Sequence, residues 1–139
     1  MNDTVSPLVS VVIPSYNHGR FLGRALQSVL DQTYTKSEVI VIDNHSTDNT
    51  DAVMASFADL RITYIKIHNN GIIAASRNIG LRLAKGEWIA FLDSDDYWSR
   101  NKLEQCILNR SNNDVIYHKL MCYKALDSGK RQGRLTKTT

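Results

Sequence analysis

Four short apolar runs, each ending abruptly in a polar cluster, constrain this chain more than anything else in it. Val9 to Ile13 stops at Pro14-Ser15-Tyr16-Asn17, and Glu38 to Ile42 stops at Asp43-Asn44. Arg61 to Ile67 stops at His68-Asn69-Asn70, and Trp88 to Leu92 stops at Asp93-Ser94-Asp95-Asp96. Short, β-branched, nearly all-apolar runs are the strands of parallel sheets covered on both faces. Between them the apolar residues switch to helical spacing. Phe21, Leu22, Ala25, Leu26, Val29 and Leu30 form one stripe, Val53, Met54 and Phe57 a second, and Ile72, Ala75, Ile79 and Leu83 a third. The alternation predicts an α/β fold with a mostly parallel sheet and right-handed crossovers. Parallel strands bring all four polar clusters to one edge, the edge where ligands bind in open α/β sheets.

Local signals set the expected boundaries. Pro14 lacks an amide donor and is expected to close the first strand. Asn17 or His18 lies at the start of the first helix, and Ser46 or Thr47 is placed to cap the second, with Asp48 and Asp51 at its positive end. The third helix is expected over about residues 72–85, stopped by Lys85 and a left-handed Gly86. Ser99 is placed to cap a fourth helix carrying Leu103, Cys106 and Ile107. A fifth strand is expected to start at Val115-Ile116-Tyr117 and run toward Tyr123, before a turn at Asp127-Ser128-Gly129.

With 139 residues, the chain has room for one modest core. No apolar stretch approaches the roughly 20 residues that span a bilayer, and Met1 to Ser6 lacks the pattern of a signal peptide. Cys106 and Cys122 have no metal-ligand spacing, and two reduced thiols in a cytoplasmic protein is the reading they support. The net charge of +3 is unevenly placed. From Lys119 onward, Lys124, Lys130, Arg131, Arg134 and Lys137 add to that lysine against Asp127 alone. Such a tail suits peripheral contact with anionic lipid; a solvated, frayed terminus is the plainer reading.

The acidic cluster carries the strongest chemical signal. Extended residues two apart share a face, so Asp93 and Asp95 can point the same way. Two adjacent carboxylates repel, and a hard cation such as Mg²⁺ or Mn²⁺ resolves the conflict, commonly together with substrate phosphates. A solvated loop of turn-forming acids is the bland alternative. Asp43 can accept hydrogen bonds from a base or ribose, or close an Asx-type turn. Tyr16 can stack on a nucleobase, or lie half-buried with a wet hydroxyl. Arg77 can neutralise a diphosphate, or be an ordinary surface arginine. The four histidines read as loop or strand-surface residues rather than ligands. No glycine-rich dinucleotide fingerprint, Walker loop or nucleophile elbow is present. Basic residues are not interleaved with aromatics, so no nucleic-acid groove is expected.

Val9-Ser10-Val11-Val12-Ile13-Pro14-Ser15-Tyr16-Asn17 resembles the opening strand of family 2 glycosyltransferases. So do Val41-Ile42-Asp43-Asn44 with Ser46-Thr47-Asp48, Gly71 to Asn78, and Gly86 to Asp96, which resembles the strand leading to the family's DxD motif. The resemblance implies a GT-A fold and a nucleotide-diphospho-sugar donor, commonly UDP-linked. It implies that Pro14 and Tyr16 line the nucleotide pocket, that Asp43 bonds the base, and that Arg77 lies near the phosphates. Asp93 and Ser94 would contact the ribose or sugar side, and Asp95 would ligate Mn²⁺ or Mg²⁺. Transfer to a saccharide or lipid-linked acceptor hydroxyl, with inversion, would follow, in polysaccharide assembly at the cytoplasmic face of a bacterial membrane.

Residues 1–118 are thus read as the nucleotide-sugar-binding half of a GT-A domain, and 119–139 as a final strand and basic polar tail. Family members continue further and carry a catalytic base, of which this sequence shows no sign after Tyr117. An incomplete sheet would leave an open edge and favour a homo-oligomer. The competing readings are a non-catalytic nucleotide-sugar-binding or protein-interaction module, and a different nucleotide-binding enzyme such as a nucleotidyltransferase.

Overall fold

The computed structural model describes residues 6–112, 120–125 and 131–136. The chain divides into two units, residues 1–105 and 106–139. The first unit holds a four-stranded sheet of β1 (Val9–Ser15), β2 (Ser37–Asp43), β3 (Ile62–Lys66) and β4 (Trp88–Phe91). Helices α1 (Gly19–Leu30), α2 (Thr50–Ala55) and α3 (Ile73–Leu83) connect them, and α4 (Lys102–Leu108) follows β4. Every pairing in this sheet is parallel, in the order β3-β2-β1-β4. In the second unit, β5 (Leu120–Ala125) and β6 (Arg131–Thr136) pair antiparallel as a separate two-stranded sheet.

The core lies where the apolar runs place it. Val9, Val11, Val12 and Ile13 of β1 and Val39 to Ile42 of β2 are buried, as the two central strands of a sheet covered on both faces must be. Leu22, Ala25, Leu26 and Val29 bury the predicted stripe of α1.

Several boundaries differ from the sequence expectation. Pro14 does not end β1, because the strand pairs with β2 through Ser15. The hydrogen-bond alternation explains this. Val9 N–H and Ser15 C=O bond on the β2 side, whereas Leu8 and Val12 accept from Trp88 and Leu92 on the β4 side. Pro14 therefore turns its missing N–H toward β4, whose pairing has already stopped at Val12. β1 pairs with β2 over seven residues and with β4 over four.

β4 is not the dry strand its composition predicts. It lies at the edge of the sheet, Trp88 to Ala90 are half-buried, and Phe91 is 45% exposed. Among the described residues its outer side has no strand neighbour. The third helix turns a different face inward from the apolar one. Ser76 and Gly80, one turn apart, are buried, while Ile72 and Leu83 are exposed. Small residues let α3 sit against β1: a Cβ on Gly80 would lie 2.3 Å from Val12 Cγ1. Gly86 is likewise explained by close approach rather than a left-handed backbone, since a Cβ there would meet Ser10 Oγ at 2.6 Å.

The helix starts are also corrected. Neither Ser46 nor Thr47 caps α2; Asn49 precedes it, and Asp48 serves Thr50 instead. α4 begins at Lys102, three residues after Ser99. Arg131–Thr136 is a strand, so the basic segment is not simply a frayed tail. The expected strand start at residues 115–117 and the turn at 127–129 lie outside the described residues. Among the described residues no helix is long and apolar enough to cross a membrane.

Candidate functional site

The loops at the strand ends are tied to one another by short polar side chains. Asn17 takes a left-handed backbone (φ 49°), which asparagine tolerates better than most residues. Its N–H donates to Ser46 Oγ at 2.8 Å, and its Oδ1 accepts from the Thr47 N–H at 2.8 Å. Asp43, fully buried at the end of β2, accepts from the Ser46 N–H at 2.8 Å and from Ser46 Oγ at 2.5 Å, closing the loop three residues on. Asp48 accepts from the Gly19 N–H at 2.8 Å and the Thr50 N–H at 3.0 Å, so one carboxylate serves the N-terminal ends of α1 and α2. The Thr50 hydroxyl, then those backbone donors, hold its carboxyl below the usual carboxylate range.

The β3–α3 loop is fixed in the same manner. Asn69 N–H donates to Asn44 Oδ1 at 3.0 Å, its Oδ1 accepts from the Gly71 N–H at 2.8 Å, and its Nδ2 donates to the buried Ser76 Oγ at 2.9 Å. α3 then starts at Ile73 with no side-chain cap, leaving its positive end open. One turn along α3, Arg77 Nη2 lies 3.0 Å from Asp93 Oδ1, while Arg77 Nε is buried without a partner.

Asp93, Asp95 and Asp96 each place a carboxylate oxygen within 4.8 Å of the others. Asp96 does not begin a helix: its N–H closes a turn onto the Asp93 carbonyl at 3.0 Å, and α4 starts further on. Partial burial raises the Asp96 pKa above the ordinary carboxylate range, and the charges of Asp95 and Asp93 raise it further. Three clustered hard oxygen donors that repel one another, with Arg77 paired to Asp93, fit a Mg²⁺- or Mn²⁺-type cation. Ser94, between them, is buried, and its Oγ lies 2.7 Å from His18 Nδ1.

These groups surround a cleft of about 420 Å³. Pro14, Ser15, Tyr16 and His18 line it from the β1 end, Asp93, Ser94 and Asp95 from the β4 end, Asn44, Asn69 and Gly71 from the loops after β2 and β3, and Ile73 and Arg77 from α3. The strand order explains its position. β2 and β3 lie on one side of β1 and β4 on the other, so the connections diverge between β1 and β4 and leave a crevice at the topological switch point.

Of the residues singled out in the sequence, Pro14, Tyr16, Arg77, Asp93, Ser94 and Asp95 meet at this cleft. Tyr16 is 55% exposed there. Asp43 is not among the lining residues, and Ser46 occupies its oxygens. His18, Asn44 and Asn69 also line the cleft; the sequence places Asn44 and Asn69 in strand-end clusters without individual roles and His18 at the start of the first helix, not as a ligand. Their partners Ser94, Asn69 and Ser76 lie 76, 25 and 7 positions away, so no local pattern marks them. His45 and His68 stack at 3.9 Å between ring centroids, which brings the β2 and β3 loops together.

The fold is that of the GT-A glycosyltransferases. Residues 1–349 of TarS from S. aureus, in complex with UDP-GlcNAc, match with a TM-score of 0.70 and 30% identity, over 75% of this chain and 31% of that one. The mannosyltransferase PcManGT from Pyrobaculum calidifontis, in complex with GDP-Man and Mn²⁺, matches with a TM-score of 0.69 and 30% identity, over 78% and 33%. The chain belongs to glycosyltransferase family 2, whose model (Glycosyl transferase family 2) matches residues 10–136. Among curated relatives, the UDP-Glc:alpha-D-GlcNAc-diphosphoundecaprenol beta-1,3-glucosyltransferase WfgD of Escherichia coli is 41% identical over 110 residues, 79% of this chain and 44% of that protein. The putative teichuronic acid biosynthesis glycosyltransferase TuaG of Bacillus subtilis is 42% identical over 101 residues, 71% and 40%. The chain spans less than half the length of either relative.

Proposed function

We propose that this chain carries the donor-binding part of a glycosyltransferase that takes a nucleoside-diphospho-sugar with a divalent cation. The observation that carries the reading is the convergence of Tyr16, Arg77, Asp93 and Asp95 on one cleft at the switch point, with Asp96 beside the two lining carboxylates. In this reading Pro14 and Tyr16 hold the nucleoside, with Asp43 contacting the base if Ser46 gives way. Arg77 neutralises the diphosphate, Asp93 and Ser94 face the ribose or sugar, and Asp95 is the principal metal ligand. The open N-terminus of α3 adds favourable field for an anion.

The reaction is displacement at the anomeric carbon with inversion. The acceptor hydroxyl oxygen forms the new bond, the bond to the diphosphate breaks, and a general base removes the hydroxyl proton. A bound Mg²⁺ or Mn²⁺ supplies charge stabilisation to the leaving diphosphate. No base is assigned among the described residues. A UDP-hexose donor and a lipid-linked saccharide acceptor at the cytoplasmic membrane face are the substrates we propose. The activity for which the E. coli relative is named and the UDP-GlcNAc bound by TarS support them.

Calorimetry with UDP, GDP and dTDP, each with and without Mn²⁺, tests the reading. Metal-dependent binding of UDP that is lost in Asp95→Ala is the expected result. Absence of binding by every nucleoside diphosphate with every metal tried overturns it.

A further inference from the structure

Ser94 sits between two exposed carboxylates yet is itself buried. Its hydroxyl meets His18 Nδ1 at 2.7 Å across 76 positions of sequence. The His18 ring is itself held. Its backbone carbonyl accepts from the Phe21 and Leu22 N–H groups at 2.8 Å each, so the residue is locked to the first turn of α1. Its ring meets Phe21 edge-on, with centroids 5.8 Å apart and planes at 83°. A histidine fixed to the first turn of α1 therefore grips the middle residue of the acidic turn.

The electrostatics give that grip a purpose. Asp93, Asp95 and Asp96 hold oxygens within 4.8 Å, and their mutual repulsion favours spreading the turn. Arg77 offsets the charge at Asp93 alone. Holding Ser94 inward keeps Asp93 and Asp95, its neighbours on either side, turned outward together.

We propose that His18 is a positioning residue for the cation site: through Ser94 it preorganises the Asp93 and Asp95 oxygens. The inference rests on the metal-dependent reading given above. It assigns a task to a residue that is not itself a carboxylate ligand, in the manner of the outer-shell groups that orient metal ligands elsewhere.

The test is titration of the chain with Mn²⁺ alone, read by calorimetry or by the loss of the free Mn²⁺ paramagnetic signal. His18→Ala and Ser94→Ala are each expected to weaken Mn²⁺ binding about 10- to 100-fold. The double variant should be no weaker than the worse single variant, because both remove the same bond. His18→Asn, whose amide can reach the hydroxyl from nearly the same place, should restore most of the affinity. Should His18→Ala fail to fold, Ser94→Ala and His18→Asn carry the comparison alone. Unchanged Mn²⁺ affinity in Ser94→Ala, or losses that add in the double variant, overturns the inference and leaves the functional reading standing. Failure of the parent chain to bind Mn²⁺ or a metal–UDP pair overturns both.

Discussion

Arg77 and Asp93 face each other across the mouth of the cleft, Nη2 to Oδ1 at 3.0 Å, joining α3 to the end of β4. Both groups are partly exposed, so the pair itself adds little to stability. Its interest is competitive. Asp93 satisfies the arginine with a carboxylate that also belongs to the cation cluster. A diphosphate and a metal arriving together relieve both sides at once, the phosphate taking Arg77 and the cation taking Asp93.

Arg77→Ala is accordingly expected to move two affinities in opposite directions. UDP binding should weaken about tenfold or more, the scale of one charge-assisted hydrogen bond of about 1.5–3 kcal/mol. Mn²⁺ binding in the absence of nucleotide should tighten, because the competing guanidinium is gone. Separate titrations with Mn²⁺ and with UDP measure both. A parallel loss of the two would show that Arg77 only supports the local structure.

Tyr16 lines the cleft and is more than half exposed. Base–aromatic stacking of about 1–3 kcal/mol is the contribution such a ring makes to a bound nucleobase. Tyr16→Ala should weaken UDP binding about tenfold, Tyr16→Phe should leave it nearly unchanged, and neither should alter the thermal midpoint noticeably. Equal losses for the two variants would assign the effect to the hydroxyl instead.

Asp48 makes the junction of α1 and α2 acid-sensitive. Its folded pKa lies below the ordinary aspartate value of 3.8, with the Thr50 hydroxyl as the main cause. The stabilisation is therefore fully present above pH 3.8 and is lost as pH falls through the lower folded value. Asp48→Ala should cost about 1 kcal/mol at neutral pH, at the modest end for a capping carboxylate because the group is solvent-screened. Urea melts at pH 7 and near pH 3 should show the parent and variant converging at the acidic end.

Gly80 sits where α3 presses on β1. A Cβ there meets Val12 Cγ1 at 2.3 Å, deep inside contact distance, and Val12 is fully buried. Gly80→Ala should destabilise by about 1–3 kcal/mol despite alanine's better helix propensity. An increase in the urea midpoint would mean that α3 can shift away from the sheet at no cost.

The strands, their order of appearance and the edge that carries the site were legible in the sequence, because β1 and β2 are apolar enough to be buried on both faces. The acid cluster and Tyr16 were legible because they follow those strands directly. Strand and helix faces were less so. Ile72 and Leu83 look like core at helical spacing, yet close packing on Val12 favours the smaller Ser76 and Gly80. Trp88 to Phe91 look like a central strand, but their exposure follows from lying at a sheet edge, which no local pattern encodes. Pro14 reads as a terminator until it is known which neighbour its missing N–H faces. The polar ties (His18 to Ser94, Asn44 to Asn69, Asn17 to Thr47) join residues far apart in sequence and leave no periodic trace.

The unequal pairing of β1 has a further consequence. β1 runs three residues past the point where β4 leaves it, Ile13 to Ser15 against none. At a rise of about 3.3 Å per residue the resulting step in the sheet is about 10 Å long, the scale of a sugar ring with its attached phosphates. The room available to a ligand is thus a matter of strand register as well as of side-chain size. One more paired residue at the end of β4 would shorten the step by a third and carry the acidic turn with it.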